Sequence, residues 1–316
     1  MRTWLTERFG LTVPVVQAPM AGLASGRLAA AVSAAGGLGT VGVGSTATAD
    51  WVREQCAVAG EPGRPYGVGL MAWALPSRPE LLDAVLDTRP AVVSVSHGDF
   101  GPYVAPLRDA GIVVAVQAGT RAEAMEAERA GADIVVARGG EGGGHGRDEV
   151  ATLPLLQAVL DAVRVPVLAA GGIATARGLA AVLAAGAAGG WLGTAFLACR
   201  EADMSSDARA RLLAADETST SYGRVFDVAQ GLAWPPEFGA RGLRNRFFDA
   251  WVGREDELAD DDEAARQLQT ARTEGNYDTA FLYSGQGVGL LKGEQSAAEV
   301  IADLAAAAGL LRAAAE

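Results

Sequence analysis

Eight times in the first two-thirds of the chain, a run of branched apolar residues is followed by an Ala-rich stretch of helical spacing. The runs occupy residues 13–20, 37–43, 66–73, 91–96, 113–118, 133–137, 165–170 and 189–196. The helical stretches lie near 27–35, 49–59, 79–87, 103–110, 121–130, 153–162, 175–185 and 206–215. The runs are continuous in Val, Ile and Leu rather than alternating with polar residues, as parallel strands covered on both faces require. Eight strand-then-helix units predict an α/β fold of the (β/α)8, or TIM-barrel, type. The competing architecture is an open doubly wound sheet. Gly37 to Gly42 matches G-x-G-x-x-G, but a helix precedes those glycines and a strand runs through them, the reverse of a dinucleotide loop.

The alternation stops near residue 217. From 218 to 283 the chain is richer in Arg, aromatic and acidic side chains, and it reads as a mostly helical cap over the barrel mouth. The acidic run from Glu255 to Glu263 fits a helix start or a solvated helix face and follows no cation-loop spacing, so no metal is expected. Residues 296–312 carry Val, Ile and Leu at helical spacing and predict an amphipathic helix. The expected organisation is therefore a barrel built from 1–217 and 284–316, with 218–283 as the cap.

A net charge of −12 argues against nucleic acid, whose phosphates demand a basic face. The two cysteines, Cys56 and Cys199, match neither a metal site nor a disulfide framework and fit a reducing cytoplasm. The N-terminal residues lack a signal-like apolar core, and the apolar stretch 169–188 is broken by glycines, Thr175 and Arg177, so no membrane span is expected.

In a barrel, chemistry sits at the C-terminal ends of the strands. After the sixth run comes Arg138-Gly139-Gly140-Glu141-Gly142-Gly143-Gly144-His145. Glycines let main-chain N–H groups approach a ligand closely, and a histidine beside them can move a proton near neutral pH. A flexible turn with a surface histidine would look the same in isolation. Both histidines of the chain, His97 and His145, fall at strand ends on this one face. Gly171-Gly172 before a helix, with Gly193-Thr194 on the neighbouring strand, match a phosphate cradle, although tight strand–helix packing also favours glycine. Pro19-Met20 after Gln17-Ala18 supplies an apolar wall suited to a flat ring or, equally, ordinary core packing.

In this order the motifs resemble the nitronate monooxygenase family, formerly called 2-nitropropane dioxygenases. The matching residues are Gln17-Ala18-Pro19-Met20-Ala21-Gly22, Ala35 to Gly39, Ala130 to Asp133, Gly139 to His145, Val167 to Ile173, Leu192 to Leu197 and Ser284 to Gly289. The resemblance implies an FMN-containing barrel that oxidises alkyl nitronates, such as propionate 3-nitronate, with O2 to a carbonyl compound and nitrite. It implies that Ala18, Pro19 and Met20 line the flavin, that Gly143 and Gly172 approach it, and that Leu192, Gly193, Thr194 and Ala195 hold its phosphate. His145 falls on the family's catalytic histidine and would act as base toward a neutral nitroalkane. Two positions depart from the family pattern. Gly69 stands where the family commonly has Asn, and Arg138 where it commonly has Gln; both look like flavin contacts, and Arg138 can donate to the pyrimidine edge.

His97 and Trp73 are candidate substrate contacts, and His97 reads equally as a core or rim histidine. The expected partners are a small-molecule substrate and O2, with a homodimer as the expected assembly. Three other readings remain open from sequence: an FMN-dependent NAD(P)H oxidoreductase acting on a quinone or enoyl thioester, a non-redox phosphate-ligand barrel, and an inactive flavin-binding relative.

Overall fold

The computed structural model describes residues 1–315. Eight parallel strands form one sheet: β1 (Val15–Gln17), β2 (Gly39–Gly42), β3 (Tyr66–Met71), β4 (Val92–Ser96), β5 (Val113–Ala118), β6 (Ile134–Arg138), then β8 (Val167–Ala170) and β9 (Gly189–Leu192). Between the last two groups lies the short β7 (Gly144–Gly146), in the loop after β6. The sheet order β1-β9-β8-β6-β5-β4-β3-β2 leaves β1 and β2 as neighbours across one seam. A parallel bridge between Val16 and Leu38 closes it, with Gln17 N donating to Leu38 O at 2.9 Å. The fully buried Gln17 side chain extends the seam. Its amide oxygen accepts from Thr40 N at 3.0 Å, and the Thr40 hydroxyl donates to Gln17 O at 2.6 Å. Side-chain bonds thus satisfy buried peptide groups where the ladder runs out.

The outer helices are α1 (Trp4–Phe9), α2 (Gly26–Ala34), α3 (Ala49–Gly60), α4 (Pro79–Thr88), α5 (Gly101–Asp109), α6 (Arg121–Arg129), α7 (Thr152–Leu160), α8 (Ala176–Ala184), α9 (Thr194–Leu197) and α10 (Ser206–Leu213). Apolar packing forms two shells. Inside the barrel, Val16, Leu38, Val92, Ile134, Val136 and Leu168 meet, and Leu5 of α1 plugs their N-terminal end. Between sheet and helices, the alternate strand residues Val15, Val41, Val93, Val114 and Val135 pack on Leu28, Val52, Leu81, Leu107 and Leu156. Two-sided burial is why these strands read as continuous apolar runs.

Three expectations change. The eighth strand stops at Leu192 instead of reaching Phe196. Gly193 turns the chain into α9, so Thr194 stands at the start of a helical turn. The stretch 218–283 adds a small sheet to its helices around the mouth. It contributes β10 (Thr220–Gly223) and β11 (Gly239–Leu243), which pair antiparallel, and β11 pairs in turn with β7 of the barrel loop. Helices α11 (Val225–Ala229), α12 (Arg246–Trp251), α13 (Glu255–Ala259) and α14 (Asp262–Glu274) surround that sheet. The strands escape pattern reading because Thr-Ser-Tyr-Gly and Gly-Ala-Arg-Gly-Leu carry neither alternation nor a branched apolar run. Finally, the C-terminal helix is two, α15 (Ala297–Ala305) and α16 (Ala307–Ala313). The acidic run does open helices: Asp261 caps α14 by accepting from Ala264 N at 2.8 Å.

No helix among the described residues is long and apolar enough to cross a membrane. Cys56 and Cys199 are buried in the outer shell, and burial pushes both thiols up, Cys199 to about 12. Both are therefore expected to be inert toward an aromatic disulfide reagent in the native protein and to react together once the chain is unfolded in denaturant. Rapid native-state labelling of either would contradict this packing.

Candidate functional site

The C-terminal ends of the strands open into a cavity of about 880 Å³, near the upper end for ligand clefts. It receives Ala18, Pro19, Met20, Gly69, Trp73, His97, Arg138, Gly143, His145, Gly172, Leu192, Gly193 and Thr194. Ala195 is not among the lining residues, because the α9 turn buries its methyl in the outer shell. Cavity residues that carried no sequence motif include Ser94, Gln117, Trp234 and Tyr283.

The glycine-rich loop is held from beneath by Arg138, whose side chain is 4% exposed. Its Nη1 donates to Arg147 O at 2.7 Å, and its Nη2 to Gly142 O at 2.7 Å and Gly144 O at 3.0 Å. Burial lowers its pKa to about 10, so it stays cationic at neutral pH. Three main-chain carbonyls thus take donors that the sequence reading assigned to a flavin. The loop also crosses the segment at Ser284 and Gly285 so closely that a methyl on Gly143 would lie 2.5 Å from Gly285 N. From there the chain enters β7, where His145 is registered opposite Ala240 of β11.

His145 meets three groups from the stretch after β9. Its Nε2 lies 2.8 Å from Oδ1 of Asp227 on α11. The Asp227 side chain is 1% exposed, and its Oδ2 has no hydrogen-bond partner. A carboxylate accepts, so Nε2 donates and Nδ1 is left as the basic nitrogen. Trp234 stacks on the imidazole at 3.5 Å with planes 3° apart, closing one ring face. Tyr283 approaches edge-on at 5.4 Å. Its phenol is pushed well above the usual range by burial and by the neighbouring Asp227. Sequence reasoning missed Asp227. The available signal was a lone carboxylate within Val225-Phe226-Asp227-Val228-Ala229, an otherwise apolar helix.

His97 has φ = 65°, one of two non-glycine residues in the left-handed region among the described residues. Its ring lies edge-on to Trp234 at 5.5 Å and to Phe238 at 5.4 Å. Burial, reinforced by His145 and Arg138, lowers its pKa to about 3, so it remains neutral across the physiological range. Trp73 N donates to His97 O at 3.0 Å, while Trp73 Nε1 and Ser284 Oγ are buried cavity-lining groups without partners.

Gly69 is where a side chain was expected to contact a ligand. A β-carbon there would lie 2.3 Å from the ring of Pro19, just after β1, so a larger residue requires that ring to shift. At the opposite wall, Gly171 and Gly172 both have positive φ ahead of α8. The Thr194 hydroxyl accepts from Gly285 N at 2.9 Å and keeps its own proton to donate.

Comparison with known proteins gives a consistent set. A family model described as nitronate monooxygenase matches residues 2–74 and 72–307. A nitronate monooxygenase of Pseudomonas aeruginosa is 34% identical, covering 95% of this chain and 98% of that protein. A (3aS,4S,5R,7aS)-5-hydroxy-7a-methyl-1-oxo-octahydro-1H-indene-4-carboxyl-CoA dehydrogenase of Rhodococcus jostii is 38% identical over 72% of this chain, a match spanning 64% of its own length. The crystal structure of a nitroalkane oxidase from Streptomyces ansochromogenes superposes with a TM-score of 0.83 at 33% identity, covering 99% of each chain.

Two outcomes follow from this geometry. Arg138→Met strands loop carbonyls and is expected to lower unfolding free energy by about 2–4 kcal/mol, read by urea denaturation. For His97, the unfolded imidazole takes a proton below about 6.5 while the folded one resists until about 3. Wild-type stability should therefore fall on acidification through that window, by up to about 1.4 kcal/mol per pH unit. His97→Asn, which tolerates the backbone angle, is expected to lose less between pH 7 and pH 5, and parallel losses would refute the neutral imidazole.

Proposed function

Because the chain belongs to the nitronate monooxygenase family, and is thus a flavin-dependent oxidoreductase, we propose that it binds FMN and oxidises alkyl nitronates with O2 to a carbonyl compound and nitrite. The observation that carries this reading is His145, fixed through Nε2 by a buried carboxylate at the mouth of a cavity large enough for a flavin and a small substrate. The residues present fit the cofactor. Ala18, Pro19 and Met20 offer a smooth apolar wall, and the unpartnered Trp73 Nε1 and Ser284 Oγ await acceptors or donors. Leu192, Gly193, Thr194 and Gly172 would hold the phosphate, Gly143 would approach the flavin, and Arg138 would act through the loop it supports. Ala195 stands behind this wall and supports it.

When bound, FMN would supply the redox chemistry that links the nitronate to O2. The chain's own residues do the rest. His145 Nδ1 removes the α-proton of a neutral nitroalkane, and the resulting imidazolium stays paired with Asp227. Trp234 keeps water from one face of that ring. His97, neutral and wedged between Trp234 and Phe238, and Trp73 beside it shape the substrate side. The division into a barrel of 1–217 and 284–316 with a cap of 218–283 belongs to the same reading, since Asp227, Trp234 and Tyr283 then close a site founded on the barrel. A cytoplasmic location accords with two buried, unbridged cysteines. Homodimerisation remains our expectation.

The relative named as a carboxyl-CoA dehydrogenase motivates a second reading, an NAD(P)H oxidoreductase acting on a thioester. Anaerobic mixing of the FMN-loaded protein separates the two. Nitronate is expected to bleach the flavin rapidly and NAD(P)H slowly; the opposite order would overturn the proposal. His145→Asn should lower turnover of neutral nitroalkane by about 10²–10⁴-fold while sparing preformed nitronate more. Asp227→Asn, which can donate to Nε2 and so invert the tautomer, should lower it by at least about 10²-fold. Equal losses with nitroalkane and nitronate would remove His145 as the base.

A further inference from the structure

We propose that His97 is a positioning residue for the proton transfer at His145, and that it works by holding the indole of Trp234 flat on that ring. The kinetic part of this inference rests on the nitronate reading. The positional part stands on geometry alone.

Between α11 and β11, residues 231–238 form neither helix nor strand. Gly231, Ala233, Pro236 and Glu237 are exposed, and Trp234 alone in the segment is buried. Little main chain fixes it there. Pro235 and Pro236 have no N–H to donate. Among the described residues, neither Ala233 nor Trp234 makes a main-chain hydrogen bond. The place of the indole is therefore set by its ring neighbours, Trp73, His97 and His145.

Of these, His97 grips the segment at two points. Its ring meets Trp234 with planes 70° apart and Phe238 with planes 80° apart, the edge-to-face arrangement that aromatic rings favour. Phe238 is the residue before β11, so one ring at the end of β4 ties both the indole and the start of β11 to the barrel. The backbone turns sharply to bring the imidazole there. His97 takes the left-handed angle, Gly98 follows at φ = 125°, and a β-carbon on Gly98 would lie 2.9 Å from Trp73 N. Holding a side chain in that region costs conformational energy, and such strain collects at functional sites. Burial keeps the ring neutral down to about 3, so it adds no charge near His145 while His145 takes up and releases a proton.

The indole does two things for the base. The bond from Nε2 to Asp227 fixes one point of the imidazole and leaves the ring free to rock about it. A parallel indole at 3.5 Å removes that freedom, and with it the wander of Nδ1. An indole face also attracts the imidazolium that forms when the proton is taken. Loss of the His97 ring leaves the Asp227 bond in place and frees the ring plane.

His97→Asn and His97→Gly both accept the left-handed angle, remove the ring and leave His145 as the single histidine. In the FMN-loaded protein, the carbon-bound ring protons of His145 should lie upfield in the NMR spectrum because the indole covers them. Trp234→Leu gives the uncovered position. Both His97 variants should lose most of the upfield displacement. Full retention would overturn the proposal, as would a loss in Trp73→Leu that the His97 variants do not show. In turnover, His97→Asn should lower kcat with neutral nitroalkane by about tenfold or more, and with preformed nitronate by less than about threefold. Adding His97→Asn to Trp234→Leu should cost no more than Trp234→Leu alone. Losses that multiply would place His97 on the substrate itself and overturn the proposal. Absence of all nitroalkane and nitronate turnover would sink the nitronate reading, while the ring-proton shifts would still decide whether His97 holds the indole.

Discussion

His145 reaches the cavity because a three-residue strand inside a glycine loop is hydrogen-bonded to a strand from much later in the chain. Without the ladder between β7 and β11, the loop after β6 would be a glycine-rich turn with many backbone states and little to choose among them. With it, His145 is registered opposite Ala240, and the same excursion of chain delivers Asp227, Trp234 and Tyr283 around its ring. The carboxylate fixes which nitrogen carries a proton, and the indole fixes the plane. Arg138 completes the arrangement from below by tying the loop carbonyls to the end of β6.

The same scaffold accommodates the two departures from the family's sequence pattern. At Gly69, the ring of Pro19, just after β1, packs 2.3 Å from where a β-carbon would stand, so the bare backbone of β3 and that ring fit each other. At Arg138, a charged side chain is tolerated at 4% exposure because main-chain carbonyls solvate it in place of water. Neither departure closes the cavity. On the proposed reading, recognition of the flavin then falls to Thr194, Ser284, Trp73 and the glycines.

Much of this was legible in the sequence, and for a physical reason. Two-sided burial forces parallel strands to be continuously apolar, so all eight strands are visible, and a barrel places its strand ends together, so His97, His145, Gly172 and Thr194 could be gathered from one linear reading. What stayed hidden depends on pairing between distant segments. The strands Thr220–Gly223 and Gly239–Leu243 are stabilised by each other and by the barrel loop, not by an alternation of their own. Asp227 is ordinary as a residue type and becomes informative only when burial leaves it facing an imidazole. The strand-to-helix turn at Gly193, which carries Ala195 into α9, has no apolar signature to mark it.

The central claim is that Asp227 holds the proton of His145 on Nε2 and leaves Nδ1 free to work. With His97 replaced by Asn, a single imidazole remains, and its two ring-nitrogen NMR resonances can be followed through a pH titration. In the neutral form Nε2 should carry the proton, facing Asp227, and Nδ1 should be bare. A neutral form protonated on Nδ1, with Nε2 bare, would contradict the arrangement described here.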